Sequence, residues 1–343
     1  MRTGRRLSFG LCDLLGFCGG KFFTSFIVGS VFVIILLVLL AFKVLFLLFP
    51  GVVLAAARAG LLLWFNNVMP ALLPFMIIAN LFIGLGFARF LGQFLQPLMK
   101  RVFCLPGIGG FAFIVGLTSG YPMGAKTVAD LYRNKELNAK EAQHLLAFCN
   151  NAGPVFILGA VGVGMFGSST VGYVLWAGHV LAAVVLGVLL RRKQQGEICP
   201  SIERHSRQKF PLKDIPIGKA LGESVKSAME AMAVIGGLII FFAVVVAVLG
   251  EIGLPDQGLL AGVISGAIEV TGGVHKISLL EQSIITVGFS AFVIAFGGMS
   301  IHMQTLHFID GTGIKTLPYI LCKILHGILA AVITGAIYFF VVK

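Results

Sequence analysis

The sequence predicts an all-α polytopic membrane protein with about seven transmembrane helices and two re-entrant hairpins, arranged as an inverted repeat. Three observations support this fold class. Of the 343 residues, 58% are hydrophobic and only 12% are charged, against roughly 25% charged residues in ordinary soluble domains. The 44 glycines suit closely packed or interrupted transmembrane helices. Long apolar stretches alternate with short basic ones, as expected of a chain that crosses a bilayer several times.

The chain begins with a basic segment, residues 1–25, which we place in the cytoplasm. The apolar stretch 26–49 follows it and is about 24 residues long. A secretory signal has an apolar region of about 7–15 residues and ends at a small-residue cleavage site, and neither feature occurs here. We therefore expect a retained first transmembrane helix with its N-terminus inside.

The first repeat is expected to occupy residues 50–190, and it starts with a helix at 51–67 that we place at the membrane interface. The sequence leaves open whether residues 50–68 span the membrane or lie on it. Residues 69–87 should return to the cytoplasmic side. They lead to a loop whose basic residues obey the positive-inside rule, namely Arg89, Lys100 and Arg101.

Residues 107–132 are apolar at their start and polar at their centre, which predicts a re-entrant hairpin rather than a plain span. A helix should begin near Ala139, because Asn138 and Glu141 form a capping-box pattern. It would cross outward, and residues 170–190 would come back in.

A basic cytoplasmic linker, residues 191–219, follows the first repeat. It carries eight Lys and Arg residues against three acids. The net charge of +12 therefore reflects cytoplasmic loops rather than a nucleic-acid surface, and we expect no nucleic-acid partner.

The second repeat is expected at residues 220–343, with spans at 226–249, 283–300 and 317–342 and a re-entrant hairpin at 258–278. Two matches relate the halves. GLTSG at 116–120 resembles GVISG at 262–266, and LAAVVLG at 181–187 resembles LAAVITG at 329–335. Their offsets, 146 and 148 residues, agree. Inverted repeats with interrupted helices are typical of secondary transporters.

The stretch SGYPMGAK, residues 119–126, marks the first interruption. Gly120 supplies a turn, and Pro122 suits the first residue of a following helix. The amides at that helix N-terminus, with the Ser119 hydroxyl, form a candidate anion site. Lys126 either adds a charge to this site or pairs with Asp130 at i+4, and the sequence leaves both interpretations open.

Three further interruptions carry polar side chains. In FCNNAGPVF, Asn150 and Asn151 either contact a ligand or satisfy the broken backbone. In ISGAIEVTGG, we place the hairpin turn at Gly266, with Glu269 and Thr271 just beyond it. Glu269 either binds a coupling ion, a proton or sodium, or pairs with Lys276 at the interface. AFGGMSIHMQ adds three more candidates: Ser300, His302 and Gln304. His302 is either a proton shuttle or a hydrogen-bonding anchor.

In this order, the motifs SGYPMGAK, NNAGP, EVTxG and FGGMSIHMQ resemble those of the YlbJ-type sporulation integral membrane proteins, part of the wider nucleoside-recognition or Gate group. The resemblance covers roughly residues 60–340, although Ala295 stands where a glycine is expected. It implies a multi-pass protein in the cell membrane of endospore-forming bacteria, placed in the outer forespore membrane and associated with the movement of dipicolinic acid toward the spore.

The resemblance implies a transporter of a small organic anion during spore formation, with dipicolinic acid as the substrate. The binding residues it implies are Ser119, Lys126, Asn150, Asn151, Glu269, Thr271, Ser300, His302 and Gln304. Two alternatives stay open. One is a nucleoside or nucleobase transporter, and the other is a structural or regulatory membrane protein required for sporulation.

We expect no enzyme, no cofactor and no metal site. The rhomboid-type G-x-S-G signature is absent, because GLTSG and GVISG place two residues between Gly and Ser. No His or Cys cluster has metal-ligand spacing. No phosphate-binding loop of the G-x-x-x-x-G-K-[ST] type occurs either, so transport would depend on an ion gradient, a concentration gradient or a separate partner. The expected partners are the lipid bilayer, the anion and a coupling ion, with oligomerisation left open.

Overall fold

The computed structural model describes residues 19–191, 216–255 and 257–341. Every regular element within these ranges is a helix, and none is a strand, so the predicted all-α fold class is confirmed. Most of the predicted segments 1–25 and 191–219 lies outside the described residues. The chain divides after Val53 into two compact units. The first contains helix α1 (Gly19–Leu48), 30 residues long, at the place of the predicted first span.

Five helical segments in the described ranges are long and apolar enough to cross a membrane, or six if one bent pair counts as a single span. They are Pro50–Val68, Ser169–Arg191, Ile217–Glu251, Ile284–Ile309 and Thr316–Val341. The segment Pro50–Val68 thus has the length and composition of a span, whereas we expected an interfacial helix there. Its exposed Arg58 lies near its middle.

The chain continues from α2 (Pro50–Leu63) through a π-helical turn, Trp64–Val68, into α3 (Met69–Gly84). Trp64 Nε1 donates a 3.1 Å hydrogen bond to the carbonyl oxygen of Met232, so this turn packs against the second half of the chain.

The expected loop after residue 87 is instead an amphipathic helix, α4 (Phe87–Phe103), and this prediction was wrong. Gly86 has φ +79°, a conformation that glycine adopts without strain, and the chain bends by 86° between α3 and α4. Phe90, Phe94 and Leu98 are exposed on one side of α4. Arg89 forms an ion pair with Glu136, which ties α4 to the turn after residue 133.

The predicted hairpin at 107–132 consists of α5 (Ile108–Ser119) and α6 (Met123–Arg133), which pack against each other. Next comes α7 (Ala139–Cys149), whose start matches the capping-box prediction. Asn138 Oδ1 accepts from the Glu141 amide at 2.9 Å, and Glu141 Oε2 accepts from the Asn138 amide at 2.8 Å. A break at 150–154 separates α7 from a π-helical segment, Val155–Met165, and α8 (Ser169–Arg191) follows.

The second half begins with α9 (Ile217–Glu251), which starts within the predicted linker. The short helices α10 (Gly258–Ile268) and α11 (Val270–Ser278) form the predicted second pair. The chain ends with α12 (Ile284–Phe296), α13 (Gly298–Ile309) and the unbroken α14 (Thr316–Val341).

Each half therefore contains a helical pair, an interrupted helix and an unbroken helix, in the same order. Counterparts start about 150 residues apart, as with Ile108 and Gly258 or Ser169 and Thr316. The unbroken helices α8 and α14 pack against each other, with Gly178 lying against Thr334. The opposite orientation of the two halves in a membrane stays a prediction.

Candidate functional site

Two interrupted stretches of the first half cross each other at van der Waals contact. Gly116, Gly120 and Gly124, spaced by four residues, face the backbone of residues 149–153. A Cβ on Gly116 or Gly124 would overlap the carbonyl oxygen of Cys149, and one on Gly120 would lie 2.6 Å from the amide nitrogen of Gly153. Gly120 also has φ +83°. The crossing therefore depends on the absence of side chains at these positions.

The break between α5 and α6 contains Gly120, Tyr121 and Pro122. Ser119 is the last residue of α5 and is buried. Pro122 precedes the first residue of α6, and its carbonyl oxygen accepts from the Lys126 amide at 3.0 Å. The first turn of α6 is buried under the crossing segment. The proposed binding of an anion at this helix N-terminus stays a prediction.

Lys126 is held by two partners, one on its own helix α6 and one on α3. Its Nζ lies 2.7 Å from Asp130 Oδ2 and 2.8 Å from Asn80 Oδ1. Asn80 in turn donates to the carbonyl oxygen of Ser224 at 3.2 Å, so the lysine connects α6 with α3 and α9. Of the two interpretations left open, the structure favours the i+4 ion pair.

Asn150 and Asn151 occupy the break after α7 and are fully buried. Asn150 Nδ2 donates to Thr305 Oγ1 and to the Tyr319 hydroxyl, both at 2.9 Å. Asn151 Nδ2 donates to the carbonyl oxygen of Phe148 at 2.8 Å. The Oδ1 atom of each asparagine has no hydrogen-bond partner among the described residues. The amide nitrogens therefore support the fold, and contact of the Oδ1 atoms with a ligand stays a prediction.

The turn of the second pair lies at Glu269, three residues after Gly266, and our placement of the turn was wrong. Gly266 is inside α10, where it gives room to Gly273 of α11. Glu269 breaks the helix because its carboxylate caps α11, accepting from the amides of Thr271 at 2.9 Å and Gly272 at 2.8 Å. Lys276 Nζ bonds the carbonyl oxygen of Pro255 at 3.4 Å rather than Glu269.

The break between α12 and α13 crosses this second pair. Gly297 and Gly298 have φ +90° and +72°, and a Cβ on Gly298 would lie 2.7 Å from the carbonyl oxygen of Gly266. Three candidates follow on α13, all buried: Ser300, His302 and Gln304. Gln304 Nε2 donates to Ser300 Oγ at 3.4 Å.

His302 is 1% exposed, and neither of its ring nitrogens has a hydrogen-bond partner in the described part of the chain. Its ring lies edge-on between two aromatic rings, with centroid distances of 4.6 Å to Phe296 and 5.6 Å to Tyr319. A buried imidazole with two unused nitrogens is expensive, and such sites call for an explanation such as a ligand.

A buried lysine that the sequence analysis did not single out lies at the centre of this region. Lys323 of α14 is 1% exposed, and its Nζ donates to the Asn150 carbonyl oxygen at 2.8 Å and contacts His326 Nδ1 at 3.1 Å. His326 Nε2 lies 3.2 Å from the His179 carbonyl oxygen, and His179 Nε2 accepts from the Ala152 amide at 3.1 Å.

These side chains form one central polar cluster at the contact between the two halves. We define its members as Asn150, His179, His302, Thr305, Tyr319, Lys323 and His326. A signal for Lys323 was available, since it is a charge inside a predicted span, three residues before a histidine on the same helix face.

The cluster thus contains Asn150 and His302 from the predicted site, and Asn151 follows Asn150 in the chain. Ser300 and Gln304 share α13 with His302, and no described contact joins Lys126 to the cluster. In the described ranges, no group of three or more His, Cys, Asp or Glu side chains is arranged to hold a metal ion.

Comparison with known proteins identifies a matching family model and a similar protein. The Gate family model, described as nucleoside recognition, matches residues 65–169, which include both breaks of the first half. The chain is 34% identical to the sporulation integral membrane protein YlbJ of Bacillus subtilis (strain 168), over 81% of this chain and 75% of that protein. No solved structure matches the chain.

Proposed function

The chain belongs to the family of sporulation integral membrane proteins that includes YlbJ, and we propose that it transports a small organic anion across a membrane during spore formation. Dipicolinate is the proposed substrate, and the outer forespore membrane is the proposed location. The protein would act as a carrier rather than as an enzyme. The observation that carries the proposal is the buried ammonium group of Lys323.

Lys323 has no carboxylate within ion-pair distance in the described ranges. An ammonium group in a protein interior within a membrane is costly unless it is neutralised or meets an opposite charge. Its described partners, the Asn150 carbonyl oxygen and His326, are both uncharged acceptors. An anionic substrate would supply the missing charge, and this supports an anion over a neutral ligand.

The surrounding helices support transport rather than simple packing. Interrupted helices in a membrane expose backbone groups, and they are tolerated where they line a cavity or are buried in protein. Here the interrupted segments of the two halves converge on the cluster, with Asn150 from the first half and His302 from the second. Secondary transporters place their binding sites at such junctions between repeats.

A nucleoside or nucleobase is the second candidate substrate, and one observation favours it. The free Oδ1 atoms of Asn150 and Asn151 are acceptors, and they suit the N–H and O–H groups of a nucleoside better than a carboxylate. The Gate match, whose family description is nucleoside recognition, points the same way.

Uptake into vesicles containing the purified protein tests the proposal. We expect labelled dipicolinate to enter faster than in protein-free vesicles, and unlabelled uridine in tenfold excess to leave this uptake unchanged. Uptake of labelled uridine but not of dipicolinate would replace the anion by a nucleoside. Entry of neither compound, with correctly folded protein, would favour a structural or regulatory role.

A further inference from the structure

We propose that Lys323 and His326 together bind the proton that drives anion transport. The inference rests on the proposed transport function, and it adds the identity of the coupling ion and the place where that ion binds. Both residues lie on one face of α14, three positions apart, and Lys323 Nζ contacts His326 Nδ1 at 3.1 Å.

The hydrogen bonds fix which nitrogen of this pair donates and which accepts. The ammonium group has only donors, so His326 Nδ1 must accept from it. The hydrogen of His326 is then on Nε2, which donates to the His179 carbonyl oxygen at 3.2 Å. A proton can pass from Nζ to Nδ1 along the existing contact: one N–H bond breaks at the lysine and one forms at the imidazole. The pair keeps one positive charge until the proton leaves it.

The surroundings make the charge of this pair sensitive to an anion. The titratable groups around it are Cys149 on α7, His179 on α8 and His302 on α13, together with Tyr319 and Cys322 on α14 itself. None of them is a carboxylate. A bound anion would therefore favour the protonated pair, and its departure would favour loss of the proton. By linkage, binding of the proton must strengthen anion binding by the same factor by which the bound anion strengthens proton binding.

The pair also lies where a change of conformation would alter its environment. Lys323 is bonded to the Asn150 carbonyl oxygen in the interrupted helix of the first half, while His326 contacts α8, also in the first half. Both belong to α14 of the second half. A movement of one half against the other would change these contacts, and with them the proton affinity of the pair.

Glu269 is less suited to this role. Both of its carboxylate oxygens accept from amides at the start of α11, at 2.9 and 2.8 Å, so this carboxylate already serves as a helix cap. We therefore place proton binding at Lys323 and His326 rather than at the carboxylate that the sequence suggested.

The test measures proton movement and anion movement in the same vesicles. Vesicles with the parent protein are loaded with a pH-sensitive dye and given labelled dipicolinate. We expect about one proton to enter with each dipicolinate. His326→Gln keeps an acceptor for Lys323 but cannot titrate, so it should lose at least tenfold of the proton flux that accompanies each transported dipicolinate. The control is His144→Gln, a buried histidine of α7 outside the cluster whose Nε2 contacts the Gly187 carbonyl oxygen. It should keep the parent ratio.

The outcomes separate this inference from the proposed function. No dipicolinate uptake by the parent would overturn the transport proposal itself. Dipicolinate uptake without proton entry, or an unchanged proton ratio in His326→Gln, would overturn the coupling site alone. If His326→Gln does not fold, calorimetry on the parent in two buffers of different ionisation enthalpy counts the protons taken up on dipicolinate binding. The pair takes up a proton on binding only where the empty protein has lost it, so uptake should rise toward one per anion as the pH is raised, and none at any pH would refute the inference.

Discussion

Lys323 Nζ donates a 2.8 Å hydrogen bond to the carbonyl oxygen of Asn150, 173 positions earlier in the chain. The carbonyl is free to accept because α7 ends at Cys149, and an interrupted helix leaves such groups without intrahelical partners. The lysine of one half thus satisfies the broken backbone of the other. This contact links the geometry of the break to the charge of the cluster.

Replacement of Lys323 by methionine should separate binding from folding. We expect dipicolinate affinity to fall by about tenfold or more, since hydrogen bonds to charged groups contribute about 1.5–3 kcal/mol. The free energy of unfolding should stay within about 2 kcal/mol of the parent, because relief of a buried charge opposes the loss of the Asn150 contact. Calorimetry measures the affinity for dipicolinate, and thermal unfolding in detergent measures the stability. Unchanged affinity would remove Lys323 from the site.

Replacement of Lys126 by methionine should show the opposite pattern. Asp130 would lose the nearer of its two cationic partners and keep Arg133 at 3.5 Å, and Asn80 Oδ1 would lose its donor. We expect a loss of about 1–3 kcal/mol in stability, with dipicolinate affinity changed less than threefold. The double variant with Asp130→Asn should recover part of that stability, because the carboxylate that lost the contact with Lys126 is then replaced by a neutral amide. A tenfold loss of affinity in correctly folded Lys126→Met would instead return this lysine to the anion site.

Gly120→Ala should lower the melting temperature and abolish uptake, because its Cβ would lie 2.6 Å from the Gly153 amide nitrogen and the residue has φ +83°. The matched control is Gly237→Ala on α9, where no atom lies within 4 Å of the added Cβ. It should behave like the parent. Gly187 would be a poor control, since a Cβ there meets the Phe103 ring at 2.7 Å. Equal melting temperatures for both variants would contradict the crossing.

Glu269→Asp should retain the helix cap, since aspartate is among the preferred N-cap residues, whereas Glu269→Gln should weaken it by about 0.5–2 kcal/mol. Faster hydrogen exchange at the amides of Thr271 and Gly272 would report the loss. We expect both variants to keep the parent ratio of protons to anions. A normal melting temperature with no coupled proton flux in Glu269→Gln would assign the coupling ion to this carboxylate.

The opposite orientation of the two halves can be tested at equivalent turns. Lys135 follows α6 and Glu281 follows α11, and both side chains are exposed. In a background without the native cysteines, an impermeant thiol reagent added from outside should label Glu281→Cys and not Lys135→Cys, because an inverted repeat places these turns on opposite faces. Labelling of both positions from one side would show parallel repeats.

Local sequence signals located most of the helix boundaries. The Asn138–Glu141 pair marked the start of α7, and the Gly-Pro pair after Asn151 marked its break, because capping and proline chemistry act over a few residues. The turn at Glu269 was missed because a Ser-Gly pair fits inside a helix when a glycine of the next helix packs against it.

The central cluster could not be assembled from local signals. Lys323 meets Asn150, and His326 meets His179, only through contacts between distant segments. The approximate repeat placed α8 and α14 as counterparts but gave no information on which of their side chains would face each other. The 86° turn at Gly86 was likewise invisible, since a glycine between two apolar stretches is compatible with a straight or a bent chain.

The contact between Gly120 and Gly153 determines where the first half can flex. Because the backbones of Gly120 and Gly153 are in direct contact, we expect the two breaks to move together as a rigid unit. Bending is left to the non-helical connections at 104–107 and 134–138, which lie at the remote ends of α5, α6 and α7. Interrupted helices are often regarded as hinges. We instead expect these two breaks to stay fixed while the longer helices rotate about them.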